Sequence, residues 1–404
     1  MILCDLRGKE LYMKDFNYYA PTKVVFGVGA EEKTGALIRE QGGTRVLVHY
    51  GSHMAEESGL LARVCASLES AELPYVLLGG VVPNPRVSLV REGIELCRRE
   101  KVDFLLAVGG GSVIDSAKAI GYGLCYDGDV WDFYAKKAVP QACAPVGAVV
   151  TFAATGSEMS DSSVITNEDG WLKRGCNNDA CRCKFAVLNP ELTLSLSPWQ
   201  TACGCTDILM HTMERYFTTE PDTELTDALA EALLRTVIHN ARVLAQDPAD
   251  LNARAQILWA GSLSHNGLMG CGTTGDWACH QLEHELSGMF DVAHGAGLAA
   301  IWASWARYVY QEKPERFAQF ATHVMGLNPK GQTAEWTALA GIRAFEAFLT
   351  DIGMPISLDA LGIVLTEETL EQLAWKCSFE NTRTIGNFRK LALEDIRRIY
   401  RAAR

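Results

Sequence analysis

The chain is poor in several things that would have pointed elsewhere. It has no apolar run near the roughly 18–20 residues a bilayer crossing needs, so a membrane span is not expected. It has no excess of positive charge: the formal net charge is -12, which argues against nucleic acid or an anionic membrane as the main partner. It carries 13 cysteines, among them Cys176, Cys181, Cys183, Cys203 and Cys205, but the one C-x₄-C, Cys176 and Cys181, has no second C-x₂₋₄-C to pair with. Scattered thiols in an odd number read as reduced, small buried residues in the cytoplasm rather than as zinc knuckles or disulfides. The opening MILCDLRGKELYMKD has charges where a signal peptide needs an apolar core, and its first 12 residues read as a leader ahead of a more ordinary start at Met13. There is no Walker loop, no G-x-G-x-x-G, no internal repeat and no low-complexity tract. His284-Glu285-Leu286 is not a zincin motif, because position 288 is Gly.

What is present is globular: 404 residues, 48% hydrophobic and 21% charged, enough for two domains with full cores. In the first half, KVVFGV, RVLVHYG, YVLLGG, FLLAVGGGS, VGAVVTF and KFAVLN read as buried strands. Helix-like runs such as EEKTGALIREQ and RVSLVREGIELCRRE alternate with them, which predicts a parallel sheet wound with helices. NPELTLSLSPWQ reads as a connector. Beyond it ALAEALLRTVIHNARVLA, NARAQILWAGSLSHNGL and RAFEAFLTDIG have helical periodicity. The expected organisation is an α/β Rossmann-like unit over residues 13–195 and an all-α unit over 196–404.

Only 9 histidines are available, and three of them, His280, His284 and His294, fall within 15 residues. Asp207 and His211 stand four apart in a helical run, so they share one face, as do His280 and His284. His294 follows a helix end placed at Gly288. Three imidazoles and a carboxylate suit Zn²⁺ or Fe²⁺ and leave room for a substrate oxygen. Spacing alone does not choose between His280 and His284.

The second signal is FLLAVGGGSVIDSAKAIG, a buried strand running through Gly109-Gly110-Gly111-Ser112 into a helix that carries Asp115 and Lys118. Glycines let the backbone approach a phosphate, and the helix N-terminus offers free N–H groups; the alternative is an ordinary tight βα turn. Gly51-Ser52 at the end of RVLVHYG and the polar turn from Thr151 to Glu158 are further candidates, with an ordinary turn and helix capping as their bland readings.

These residues resemble one family in one order: PTKVVFG, PNP at 83–85, GGGSVIDSAKAI, ATGSE at 154–158, the D-x₃-H pair and the H-x₃-H-x₉-HG run. From about Asp15 to the C-terminus the chain is similar to the group III, iron-containing alcohol dehydrogenases, closest to the butanol dehydrogenase-like branch. The resemblance implies a Rossmann-like domain, a helical domain and a cleft between them. It implies metal ligation by Asp207, His211, His280 and His294, with His284 near the nicotinamide and substrate as a proton relay. Gly110, Gly111 and Ser112 would bind the diphosphate, and Gly51 and Ser52 would lie at the ribose end. Asp115 would shape the turn or serve as a first-turn helix carboxylate. Thr151 and Thr155 would line the cofactor cleft, and Lys173 would sit near the nicotinamide or on the surface.

One departure stands out. Relatives in this branch often read YGGGS followed by basic residues that hold the 2′-phosphate of NADP. This chain has Tyr50-Gly51-Ser52-His53-Met54-Ala55-Glu56-Glu57, whose acidic pair repels a 2′-phosphate and leans the reading to NAD. The implied chemistry is reversible hydride transfer between NAD(P) and a small primary alcohol or aldehyde, with the metal as Lewis acid. The family implies a homodimer. Two alternatives compete: a non-redox, metal- and NAD-dependent lyase of the dehydroquinate synthase-like kind, and a silent dinucleotide-binding protein. Lyase sites of that kind are rich in basic groups. The stretches DWACHQLEHELSGMF and TACGCTDILMHTM are mostly apolar or acidic, which favours a small neutral alcohol.

Overall fold

The computed structural model describes residues 13–51 and 54–404. All six strands expected from the sequence form, and they make one parallel sheet. In chain order its strands are β1 (Lys23–Phe26), β2 (Val46–Tyr50), β3 (Tyr75–Leu78), β4 (Phe104–Gly109), β5 (Val146–Val150) and β8 (Phe185–Leu188), arranged β1-β8-β5-β4-β2-β3. β4, Phe-Leu-Leu-Ala-Val-Gly, is buried at every residue because helices cover both faces of the sheet. Its register sets Leu105 against Val146 on one side and Leu47 on the other. From β2 the chain steps outward to β3, whereas β4 leads the other way to β5. A crevice therefore opens beyond the carboxyl ends of β2 and β4, where a doubly wound sheet takes its ligands. Gly51 follows β2 at that crevice, and Gly110 links β4 to the helix Gly111–Leu124.

An antiparallel hairpin was not foreseen. Its strands are β6 (Ser162–Asn167) and β7 (Leu172–Asn177). The Asn-Glu-Asp-Gly turn between two short runs is an ordinary hairpin signal, diluted here by the polar residues of both strands. β7 packs on the helix Ala278–Phe290 and carries Lys173 and Arg174 to it.

The second half is helical. The helix Pro198–Tyr216 starts with Ser197 as cap and Pro198 in the first turn, and Gln200 returns a bond to complete a capping box. Every residue from Ala202 to Tyr216 is buried, so this helix is the spine of the unit. Leu251–His265, Ala278–Phe290 and His294–Val309 are the other helices that reach the site. Behind them Trp302, Trp305, Phe317 and Phe320 pack around Phe217. None of the described helices is long and apolar enough to cross a membrane.

One local expectation is corrected. The helix holding His280 does not end at Gly288; it runs to Phe290 and stops at Asp291, which adopts a left-handed φ of 52°. Gly288 serves packing instead: a Cβ there would lie 2.8 Å from the carbonyl oxygen of Trp171 in the hairpin turn.

Candidate metal centre and dinucleotide cleft

Three helices aim ligand atoms at one point. The spine presents Asp207 and His211 on one face. His211 Nδ1 lies 3.7 Å from Asp207 Oδ1, His280 Nε2 3.8 Å and His294 Nε2 3.7 Å from the same oxygen. Asp207 Oδ1, His211 Nδ1 and His280 Nε2 are buried and have no hydrogen-bond partner. Unpaired buried polar atoms cost on the order of 1–3 kcal/mol each, so a bare carboxylate oxygen with three imidazole nitrogens about it calls for something between them. Ligand atoms of Asp207, His280 and His294 lie within 4.8 Å of one another, and His211 joins them through its approach to Asp207. A tetrahedral cation with bonds of about 2.1 Å separates its ligand atoms by about 3.4 Å, close to what is seen. The donor set of three imidazole nitrogens and one carboxylate oxygen fits a divalent metal.

Outer carboxylates complete the fit. Glu214, on the spine three residues after His211, accepts from His280 Nδ1 at 2.9 Å. Glu283 pairs with His294 Nδ1 and faces Lys173 Nζ at 3.5 Å. Both carboxylates are buried, and each fixes which nitrogen of its histidine faces the centre. The electrostatics agree. Burial opposes protonation of His280, yet Asp207 and Glu214 outweigh it and raise its pKa to about 9, so these two carboxylates favour positive charge at this imidazole. Burial, followed by His265 and His280, holds His211 well below the usual imidazole range. We expect Glu214→Gln and Glu283→Gln each to weaken metal binding by about 10–100-fold with the fold intact. Competition with a chelator measures this, and affinities equal to wild type would remove these carboxylates from the centre.

His284 does not join the Asp207 group, although its ligand atom lies within 4.8 Å of those of Glu283 and His294. It stands 5.8 Å ring to ring from His294, is half-buried, and lines a cavity of about 430 Å³ beside the centre. Burial and the neighbouring Lys173 hold its imidazole neutral. Lys173 is buried, its ammonium 3.3 Å from His294 Nδ1 and within reach of the same cavity. His265, Glu214 and Glu283 escaped the sequence reading. Glu214 continues the Asp207–His211 face by two turns of helix and could have been found that way. His265 reaches the site only through tertiary packing: its Nδ1 donates to Thr155 O at 2.9 Å and its ring lies 4.1 Å from that of His211.

The crevice beyond the carboxyl ends of β2 and β4 is a second cavity, of about 490 Å³. Gly51, Gly110, Gly111, Ser112, Thr151 and Thr155 all line it, and it reaches Asp207 and His294. Ser52 and His53 lie outside the described residues. Gly110 has no room for a side chain, since a Cβ would be 2.7 Å from that of Phe152, and at Gly111 it would run into Thr155 Oγ1. Asp115 lines the neighbouring cavity instead. Its carboxylate accepts from Ser157 Oγ at 2.5 Å and from the Val164 N–H at 2.9 Å, tying the Gly-rich helix to the hairpin. Lys118, fully buried, reinforces that tie by donating to the carbonyls of Ser157, Ser160 and Ser162. The 12 cysteines within the described residues are free, and none contributes to a metal-ligand cluster there.

The expectation of surroundings without basic groups is corrected. The stretches around the histidines are indeed poor in them, but the hairpin, the Trp131–Tyr134 helix end and the C-terminal segment bring Lys136, Lys173, Arg174 and Arg383 to the 430 Å³ cavity. Local sequence could not show this, because all four arrive from distant parts of the chain.

Comparison with known proteins follows the same lines. Residues 21–190 match the family model described as iron-containing alcohol dehydrogenase, and residues 201–404 match that of the Fe-containing alcohol dehydrogenase family, C-terminal. The chain is 40% identical over 391 residues to the probable NADH-dependent butanol dehydrogenase 1 of Bacillus subtilis, covering 97% of this chain and 100% of that one. It is 33% identical over 398 residues to the NADPH-dependent aldehyde reductase YqhD of Escherichia coli, covering 97% and 100%. Among solved structures, NADH-dependent butanol dehydrogenase A of Thermotoga maritima superimposes with a TM-score of 0.93 at 36% identity, over 97% of this chain and 99% of that one.

Proposed function

This chain belongs to the iron-containing alcohol dehydrogenase family, and from that premise we propose how its residues divide the work of a metal-dependent, NAD(P)-linked alcohol dehydrogenase and aldehyde reductase. One observation carries the assignment: the buried, unpartnered Asp207 Oδ1 has nitrogens of His211, His280 and His294 3.7–3.8 Å away, where a glycine-lined crevice meets a second cavity. Asp207, His211, His280 and His294 hold the metal. Gly51, Ser52, Gly110, Gly111, Ser112, Thr151 and Thr155 hold the dinucleotide, with Asp115 and Lys173 supporting that cleft. When bound, the metal supplies Lewis acidity to the substrate oxygen and the nicotinamide supplies or accepts the hydride.

The chain's own contribution is positioning, exclusion of water and proton handling. The Gly-rich helix N-terminus offers N–H groups to the diphosphate. Glu214 and Glu283 orient two of the imidazoles. His284, held neutral and facing the substrate cavity, takes the hydroxyl proton during oxidation and returns it during reduction. Substrates are small primary alcohols and aldehydes, as the names of the butanol dehydrogenase relatives suggest.

NAD is the preferred dinucleotide. Glu56, whose carboxylate accepts from Tyr50 Oη at 2.9 Å, puts negative charge beside the end of β2, where a 2′-phosphate would sit. Four of the relatives compared are described as NADH-dependent. The three-nitrogen, one-oxygen set accepts either Fe²⁺ or Zn²⁺. Units 13–195 and 196–404 form the two domains, consistent with a last sheet strand at Phe185–Leu188 and a spine helix starting at Pro198. A cytoplasmic homodimer completes the proposal. Free thiols support the compartment, and the exposed Phe16, Tyr18 and Tyr19 support an interface near the N-terminal segment.

The test is NADH oxidation coupled to butanal reduction after reconstitution with Fe²⁺ or Zn²⁺. We expect turnover with kcat/KM for NADH at least about 10-fold above that for NADPH, a difference of about 1.4 kcal/mol. Absence of turnover over a broad aldehyde panel would overturn the dehydrogenase reading, and a preference for NADPH would overturn the dinucleotide assignment.

A further inference from the structure

The 430 Å³ cavity beside the metal centre is lined by four basic side chains, and they are not equivalent. Lys173 faces the buried Glu283, and Arg174 donates to the buried Glu285 at 2.8 Å. Their charges are matched within the protein. Among the described residues neither Arg383 nor Lys136 makes an ion pair; the charge of Glu285 reaches Arg383, but its carboxylate is already bonded to Arg174, so one carboxylate faces two guanidiniums. Lys136 Nζ donates to the carbonyl of Gly175 at 2.7 Å. Arg383 donates twice to one carbonyl, that of Cys377, from Nε at 3.1 Å and from Nη2 at 2.9 Å. Of the carboxylates that line this cavity, Asp115 is engaged by Ser157 and Val164, and Glu285 by Arg174.

Arg383 is also held still. Its guanidinium lies 3.5 Å from the centroid of the Phe379 ring, and Phe379 lines the same cavity. The segment that follows is pinned where Asp276 accepts from the N–H groups of Asn387 and Phe388 at 2.6 and 2.7 Å. A stacked guanidinium whose bonds all run to one side has its remaining N–H edge fixed, and such an edge matches a carboxylate. A pocket meant only for an alkyl chain has no use for a surplus, half-buried guanidinium, because desolvating that charge costs free energy that an alkyl chain does not return.

We propose that the substrate is bifunctional: a short aldehyde or primary alcohol at the metal end and a carboxylate at the far end, bound by Arg383 with Lys136 as the outer charge. This rests on the dehydrogenase reading and narrows its substrate class to ω-hydroxy acids and their semialdehydes. The reaction adds no new bookkeeping, since hydride and proton move at the aldehyde carbon and oxygen and the carboxylate is unchanged.

The experiment compares kcat/KM for 4-oxobutanoate and butanal with NADH on the metal-loaded enzyme. The expected ratio is at least about 10 in favour of 4-oxobutanoate. In Arg383→Leu that ratio falls by at least about 10-fold, and Arg383→Lys keeps part of it because charge survives without the planar fork. If Arg383→Leu fails to fold, inhibition of wild-type butanal reduction decides: butanoate is expected to inhibit more strongly than butanamide. A wild-type ratio at or below one, a ratio unchanged in Arg383→Leu, or equal inhibition by butanoate and butanamide overturns the inference. Turnover of butanal without the preference overturns this inference alone, whereas turnover of neither aldehyde overturns the dehydrogenase reading as well.

Discussion

His280→Ala should lose bound metal and turnover together, with kcat/KM down by on the order of 10³ or more, about 4 kcal/mol of transition-state stabilisation. The substitution removes Nε2, a buried atom with no other partner that lies 3.8 Å from Asp207 Oδ1, and leaves that oxygen facing His211 and His294 only. It also removes the imidazole that donates to Glu214, so that carboxylate keeps only the backbone N–H of residue 280 at 2.9 Å. Two buried carboxylates then face each other's field with less positive charge between them. His284→Ala is the matched comparison. His284 lies on the same helix one turn later but faces the cavity, so that variant should retain metal while its rate falls by about 10²–10⁴. Metal content by elemental analysis and single-substrate kinetics check both. Full turnover from metal-free His280→Ala protein would sink the mechanism, and loss of metal from His284→Ala would reverse the division of roles.

The contrast between these two histidines also marks how far the sequence could be read. Strands were legible because the inner strands β4, β5 and β8 are continuous apolar runs closed by glycine or a polar turn, which only a doubly covered parallel sheet rewards. The β6–β7 hairpin was not, since Ser162–Asn167 and Leu172–Asn177 are half-polar and take their burial from other elements. Helical spacing put Asp207 with His211, and His280 with His284, but it could not say which member of the second pair turns inward. That is decided by Glu214 on another helix, 66 residues away in sequence. The basic side of the substrate cavity was misjudged for the same reason: Lys136, Arg174 and Arg383 are far from the histidines in the chain and near them only in the fold. Gly288 shows the converse error, where a residue type that often ends helices is retained for close approach to a neighbouring carbonyl.

Close approach is also what makes Gly295→Ala the second large effect. Gly295 is the second residue of the helix that begins with His294, and it lies against the backbone of Cys203, one helical turn before Asp207. A Cβ there would run into the carbonyl oxygen of Cys203 and lie 2.7 Å from its carbonyl carbon. Both sides of that contact are helix backbone, so neither can turn aside as a side-chain tip would. The two helices must part, and the distance between His294 Nε2 and Asp207 Oδ1, now 3.7 Å, must grow. Overpacking of this kind costs about 3 kcal/mol, and a displaced ligand should lower metal affinity by at least about 100-fold. Gly204→Ala separates the two halves of the site. Its Cβ would meet the Ala153 carbonyl oxygen, on the turn that lines the dinucleotide crevice, and lie 3.1 Å from Phe152 Cε1. It should therefore weaken dinucleotide binding more than metal binding, although Gly204 and Cys203 are adjacent on one helix. Thermal unfolding, metal content and NADH fluorescence titration on the two variants read this out. Wild-type metal affinity in Gly295→Ala, or the same pattern of losses in both, would show that the helix contact at Gly295 does not set the geometry of the metal centre.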